Sequence, residues 1–202
     1  MMMIGVLALQ GDVDEHLAAL HRAGAPAMTV KTRDELDNVD ALVIPGGEST
    51  TVMKLLERFG LTQPIAERTR AGMPLWGTCM GMIVIAHDVA QTQQPTLDLL
   101  DVTVRRNAFG RQNDSAETTL TIAELGSEPF PGIFIRAPWI ERAGEGVNVL
   151  AERDGHAVMV RQGNVLGTAF HPELTGDERV HKYFFNMVRD AQRSQGNPST
   201  AA

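Results

Sequence analysis

Three features of the sequence predict an α/β fold with an open, mostly parallel sheet flanked by helices and an antiparallel extension. Residues 4–9 and 41–44, and a shorter stretch before Cys79, are continuous apolar runs, the form taken by strands buried on both faces. Each run breaks at a loop containing glycine and passes into a segment with apolar residues at helical spacing, so the first half reads strictly strand, helix, strand. From Leu99 the texture changes to short strand candidates separated by turn residues, which predicts the extension.

The first strand, residues 4–9, ends at Gln10-Gly11. A helix follows, with Val13, Leu17 and Leu20 on one face and with Asp12, Asp14 and Glu15 in the first turn, where the positive dipole end favours acids. Gly24 and Pro26 close it, and residues 26–30 form a second strand. A third strand, residues 40–44, breaks at Pro45-Gly46-Gly47-Glu48-Ser49-Thr50 before a helix carrying Val52, Leu55, Leu56 and Phe59. Another helix, residues 61–71, leads to the strand before Cys79, and residues 80–86 form the helix after it. Later strand candidates are residues 102–105, 118–121, 132–135, 147–151, 158–161 and 165–170. The last helix, residues 178–192, turns Val180, Tyr183, Phe184 and Met187 inward. One domain is expected over residues 1–193, with residues 194–202 a flexible tail.

With 202 residues, 43% hydrophobic and 21% charged, the chain is that of one well-filled globular domain. A net charge of −7 without a dense Lys/Arg cluster argues against nucleic acid, which requires a concentrated positive surface. No apolar run approaches membrane-spanning length and the start lacks the pattern of a signal peptide, so a membrane partner is not expected and the cytoplasm is. A single cysteine excludes an internal disulfide, and the six histidines show no metal-type spacing; no metal or cofactor is expected.

The chemistry gathers at three places. Gly77-Thr78-Cys79-Met80-Gly81 has the spacing of a nucleophile elbow, in which small flanking residues permit a strained turn that lifts one side chain above the sheet. The Met80 N–H can then face an oxyanion; alternatively, a lone cysteine among apolar residues is a small buried hydrophobe. The Gly46-Gly47 loop lets backbone N–H groups approach an oxygen, or else is a plain turn capped by Ser49 or Thr50. His171-Pro172-Glu173 follows a strand, and in an extended backbone side chains two apart share a side, so Glu173 can orient the imidazole as it faces Cys79. Alternatively His171 is an ordinary turn residue after a strand, the reading favoured where Cys79 is left out of account and disfavoured where it is counted. His16, His21, His87, His156 and His181 lack such partners and read as surface or structural. Arg105, Arg106, Arg111 and Arg136 lie in polar or proline-marked segments and offer paired N–H donors to a carboxylate.

Cys79, the Gly46-Gly47 loop and His171-Pro172-Glu173 together resemble the class I (triad) glutamine amidotransferases, whose sheet is flavodoxin-like. Leu7-Ala8-Leu9-Gln10-Gly11 with Glu15-His16, Pro45 to Thr50, Gly110-Arg111-Gln112, Phe134-Ile135-Arg136-Ala137-Pro138 and Phe170 to Leu174 narrow this to a resemblance to the glutaminase subunits of pyridoxal 5′-phosphate synthase. That resemblance implies Cys79 as nucleophile, His171 as acid/base and Glu173 as its orienter. It implies Gly46, Gly47, Glu48, Ser49, Arg106, Ile135 and Arg136 as glutamine-binding positions, and Gln10, Glu15 and His16 as positions coupled to a partner. The implied reaction is hydrolysis of L-glutamine to glutamate through a cysteinyl thioester. The ammonia passes to a separate barrel-shaped synthase subunit that joins it to a pentose phosphate and a triose phosphate. Met80 stands where the family usually has alanine and Ala116 where it has phenylalanine, which touches pocket shape or partner contact. The alternatives are the glutaminase of another amidotransferase, such as imidazole glycerol phosphate synthase, and a non-catalytic regulatory subunit of the same fold.

Overall fold

The computed structural model describes residues 2–106 and 115–196. In chain order its strands are β1 (Ile4–Leu7), β2 (Ala27–Val30), β3 (Ala41–Ile44), β4 (Leu75–Thr78), β5 (Ala86–Val89), β6 (Leu100–Arg105), β7 (Ser115–Leu120), β8 (Phe130–Ile135), β9 (Trp139–Ala143), β10 (Asn148–Arg153), β11 (His156–Gln162) and β12 (Val165–Thr168). The helices are α1 (Val13–Arg22), α2 (Arg33–Asp37), α3 (Ser49–Arg58), α4 (Thr62–Arg70), α5 (Met80–Ile85) and α6 (Arg179–Gly196), with 3-10 turns at Ala123–Leu125 and Pro172–Leu174.

The centre of the sheet is parallel, in the order β2-β1-β3-β4-β12. Every residue of β1, β3, β4 and β12 is buried, which is why these strands read as unbroken apolar runs. Beyond β12 the sheet continues as β11-β9-β6-β5, antiparallel from β12 through β11 and β9 to β6 and parallel again between β6 and β5, with β10 added antiparallel beside β11. Here burial alternates, as in β6, because one face is covered and the other wet. β7 and β8 form a separate antiparallel pair.

The chain leaves β1 toward β2 and returns past it to β3, so the strand order reverses at β1. In open α/β sheets the crevice beyond the carboxyl ends of strands at such a reversal is where ligands bind. Helices α1 and α6 pack together, and α3 packs with α4 and α5. Trp76 on β4 anchors the core under this crevice: it is fully buried, its Nε1 donates to Thr168 Oγ1 at 3.2 Å, and it meets Phe184 of α6 at 5.4 Å between ring centres. Phe170 performs the same task under the second sheet, touching Phe130 and Phe134 of β8.

Several elements depart from the expectations. The helix after Cys79 ends at Ile85, and Ala86–Val89 turns into strand β5. Strand β9 and the short helix α2 were not expected, and α6 continues past Gln192 to Gly196. Helix α3 is capped by Glu48, whose carboxylate accepts the N–H groups of Thr50 (3.0 Å) and Thr51 (2.8 Å), and not by Ser49 or Thr50. The Gly110-Arg111-Gln112 segment lies outside the described residues. No helix among the described residues is long and apolar enough to cross a membrane.

Candidate active site

Cys79 sits at the turn between β4 and α5 with φ 48° and ψ −110°, a left-handed conformation that costs a non-glycine residue about 1–3 kcal/mol. The surrounding structure holds it there. Its N–H donates to Thr168 O at 2.7 Å, and a Cβ on Gly81 would stand 2.0 Å from Ile44 O, so the start of α5 rests directly on the end of β3. Only glycine permits that approach. The thiol is 2% exposed and points to Ile135 O at 3.8 Å.

His171 follows β12 and Glu173 lies two residues on. Their pairing is close, with Nδ1 to Oε1 2.6 Å, but the backbone between them is a 3-10 turn and not the extended segment expected. Proline at the first position of that turn starts it, and the turn brings the carboxylate back under the ring. The His171 N–H donates to Ile133 O at 2.8 Å, joining the turn to the β7–β8 pair.

A second carboxylate faces the same imidazole nitrogen: Asp12 Oδ2 is 3.4 Å from His171 Nδ1. Burial opposes a charged ring, but Asp12, the Cys79 sulfur and Glu173 together outweigh it and push the His171 pKa up to about 12. Burial in turn lifts the Glu173 carboxyl above its usual range, against the pull of His171. The arrangement favours an imidazolium held between sulfur and carboxylates, able to deliver a proton to a leaving group.

The loop after β1 reaches this point through one close contact. Gly11, at φ 106°, lies so near the Gly46 carbonyl that a Cβ would be 1.7 Å from its oxygen. Gln10 Oε1 accepts the Glu48 N–H at 2.9 Å. Together these loops, the elbow and the end of β8 enclose a cleft of about 340 Å³ lined by Gln10, Asp12, Gly47, Glu48, Cys79, Met80, Arg106, Ile135, Arg136 and His171. That volume suits a small polar molecule.

Most of the expected residues therefore converge, Gly46 among them against the His171 ring and Asp12, but three occupy other places. Ser49 is fully buried, its hydroxyl donating to Gln94 Oε1 at 3.1 Å. Glu15 is on the exposed side of α1. His16 and His181 are not partnerless, as they had read, but fully buried together behind Glu173, with His16 Nε2 3.4 Å from Glu173 Oε2. His87, too, has a partner, Asp98 at 2.7 Å, and Arg105 is taken by Glu141 at 2.6 Å, away from the cleft.

Sequence reasoning missed Asp12 and Gln94 at this site. Asp12 reads as an ordinary first-turn acid, and only the fold turns it toward His171. Gln94 sits in a polar run without periodicity, yet its Oε1 receives both Ser49 and Arg106 Nη1, the latter at 3.0 Å. Arg106 Nη2 also lies 3.5 Å from Glu48 Oε1. Among the described residues, Asp12, His171 and Glu173 are the one group whose donor atoms all fall within 4.8 Å of one another, close enough for a metal ion. Two of the three are already bonded to each other.

A model of the SNO glutamine amidotransferase family matches residues 6–190. The chain is 56% identical over 188 residues to the pyridoxal 5′-phosphate synthase subunit PdxT of Streptomyces avermitilis, covering 92% of this chain and 94% of that protein. It is 54% identical over 189 residues to the protein of the same name from Mycobacteroides abscessus, covering 93% and 97%. Among solved structures, a glutamine amidotransferase at 47% identity superposes with a TM-score of 0.88 over 92% of this chain and 98% of that one. PurLQS from Thermotoga maritima, at 20% identity, shares the fold with a TM-score of 0.65 over 95% and 99%.

Proposed function

The chain belongs to the SNO glutamine amidotransferase family, and on that premise we propose that it is the glutaminase subunit of a pyridoxal 5′-phosphate synthase. The observation that carries the chemistry is the meeting of three chain-distant groups: a cysteine on a strained elbow, an imidazole beside it, and a carboxylate 2.6 Å from the far ring nitrogen.

Cys79 attacks the side-chain amide carbon of L-glutamine. The Met80 N–H and the Gly46-Gly47 loop receive the negative oxygen that develops, which is where fixed dipoles lower a barrier most. His171 gives its proton to the departing ammonia, leaving a thioester on Cys79. Water, deprotonated by His171, then hydrolyses the thioester to glutamate and restores the thiol. Glu173 keeps the imidazole aimed through both steps. Arg106 and Arg136 hold the glutamine α-carboxylate, with Ile135 and Glu48 closing the cleft around it.

Ammonia is consumed by a separate synthase subunit, and Gln10, which lines the cleft, and Glu15, exposed on α1, belong to the surface that meets it. The relatives' names favour this acceptor over that of imidazole glycerol phosphate synthase. We place the protein in the cytoplasm as one domain; the tail expected from residue 194 begins within α6, which runs to Gly196, and the rest of it lies outside the described residues.

The test is ammonia release from glutamine by wild type and by Cys79→Ala, each with and without the synthase subunit. We expect Cys79→Ala to lose at least about 10³-fold under both conditions. Equal ammonia from both proteins would remove the catalytic reading and leave a regulatory subunit of the same fold.

A further inference from the structure

Glu173 has two oxygens, and the triad uses one. Oε1 receives His171, whereas Oε2 is buried and has no hydrogen bond of ordinary geometry among the described residues. The imidazole behind it is His16, on α1, with Nε2 3.4 Å from Oε2 and 3.1 Å from Thr78 Oγ1. On its other side His16 Nδ1 is 3.2 Å from His181 Nε2 of α6. Both rings are fully buried and stand edge-on to Trp76 at 5.4 and 5.0 Å.

We propose that His16 is a positioning residue for the triad: a neutral imidazole whose Nε2–H holds the second oxygen of Glu173, in a tautomer fixed by His181. The proposal rests on the triad reading of Cys79, His171 and Glu173. Two tautomers of a neutral His16 are conceivable, and the surroundings choose between them. With the proton on Nε2, His16 donates toward Glu173 and Thr78 and accepts from His181 Nε2–H, leaving only a lone pair on His181 Nδ1, which has no partner among the described residues. With the proton on Nδ1, a lone pair would face the Glu173 carboxylate, and His181 would carry a buried N–H with nothing to receive it. Orphaned buried N–H groups are the rarer and costlier defect.

Neutrality is secured by the same packing. Burial, then His181 and His171, hold the His16 pKa well below the usual histidine value, and burial, with Arg22 opposed by Glu178, brings His181 to about 3. The groups facing His16 are Glu173 from the 3-10 turn, Thr78 from β4 and His181 from α6, with His171 beyond Glu173. A charged His16 would compete with His171 for the carboxylate, whereas a neutral donor steadies the carboxylate without taking its charge. The 3.4 Å contact is long for a finished hydrogen bond, in keeping with a resting site whose bonds tighten when substrate and partner are bound.

The test has two arms on the full chain. Long-range proton–nitrogen correlation of the wild type between pH 6 and 8 should show His16 neutral, protonated on Nε2 and not titrating; an Nδ1–H tautomer or an imidazolium overturns the proposal without any variant needing to fold. In glutamine turnover with the synthase subunit present, His16→Leu should lower kcat about tenfold or more and leave KM nearly unchanged. His16→Gln, which returns an N–H donor near the same place, should recover most of that loss and restore the pH profile of Cys79 alkylation. A His16→Leu protein as active as wild type overturns the proposal. So do equal losses in both variants that follow their thermal midpoints. Turnover that persists in Cys79→Ala would instead sink the triad reading itself, and this proposal with it.

Discussion

The parallel half of the sheet and the antiparallel extension contribute to the cleft in different ways. The parallel half supplies the groups that would do chemistry: Cys79 at the end of β4, His171 and Glu173 after β12, and the Gly46-Gly47 loop after β3, all on strands with no exposed residue. The extension and its neighbouring hairpin supply the rim: Arg106 after β6, Ile135 at the end of β8 and Arg136 after it, on strands that are wet on one face. Reacting atoms tolerate little misplacement, so they stand on elements buried on both sides, whereas contacts that hold a substrate's outer end can rest on a more open scaffold.

That contrast is broken most directly at Glu173. Changing Glu173→Gln should reduce glutamine turnover by about 10³–10⁴-fold with the fold intact, because the imidazole loses its orienting charge. Turnover within tenfold of wild type would mean that Asp12 alone suffices. Next in size is Gly81→Ala. Its methyl group would enter the backbone of β3, so unfolding in urea should reveal a loss of about 2–4 kcal/mol, and an unchanged midpoint would show that the elbow is not pressed against β3 as described. On the rim, Arg106→Ala should raise KM for glutamine about tenfold with little change in kcat or thermal midpoint. A fall in kcat with KM unmoved would assign Arg106 to the chemistry instead.

The smallest effect concerns acid. The Thr51 hydroxyl, helped by the Thr50 and Thr51 N–H groups and opposed by partial burial, holds the Glu48 pKa at about 2, below its ordinary 4.5. A folded value below the unfolded one gives stability that is complete above about pH 4.5 and is lost as pH falls toward 2. Glu48→Gln should therefore flatten the stability curve across that window. Half of the side chain's surroundings is water, so the change is small, and superimposable curves from pH 2 to 5 would show that the cap contributes nothing.

The two regions also differed in legibility. Strands β1, β3 and β4 could be read because burial on both faces leaves unbroken apolar runs. Strand β9 could not, since only Ile140 among its five residues is buried and the rest carry no period. β5 was missed because its first residue, Ala86, closes the apolar stretch read as helix over residues 80–86, and the exposed His87 and Asp88 separate it from Val89. Helix α2 did have a signal, the Thr32-x-x-Glu35 capping box, in a segment too short for periodicity. His16 was readable in principle, since it shares the α1 face of Leu20, but apolar spacing alone gives a polar residue on that face no weight. Asp12 and Gln94 had no local signal: their neighbours come from other strands and loops, and only the assembled topology brings them into contact.

One bond ties the catalytic-turn candidate His171 to the β7–β8 hairpin. The main-chain amide of His171 is held at 2.8 Å by the carbonyl of Ile133, which belongs to the two-stranded hairpin and not to the sheet that carries the histidine. The histidine proposed to carry the proton and the rim proposed to hold the substrate are thus rivetted at a shared joint. Shortening or re-registering that hairpin would be felt in the chemical step as well as in substrate capture, so the two properties cannot drift independently as the sequence diverges.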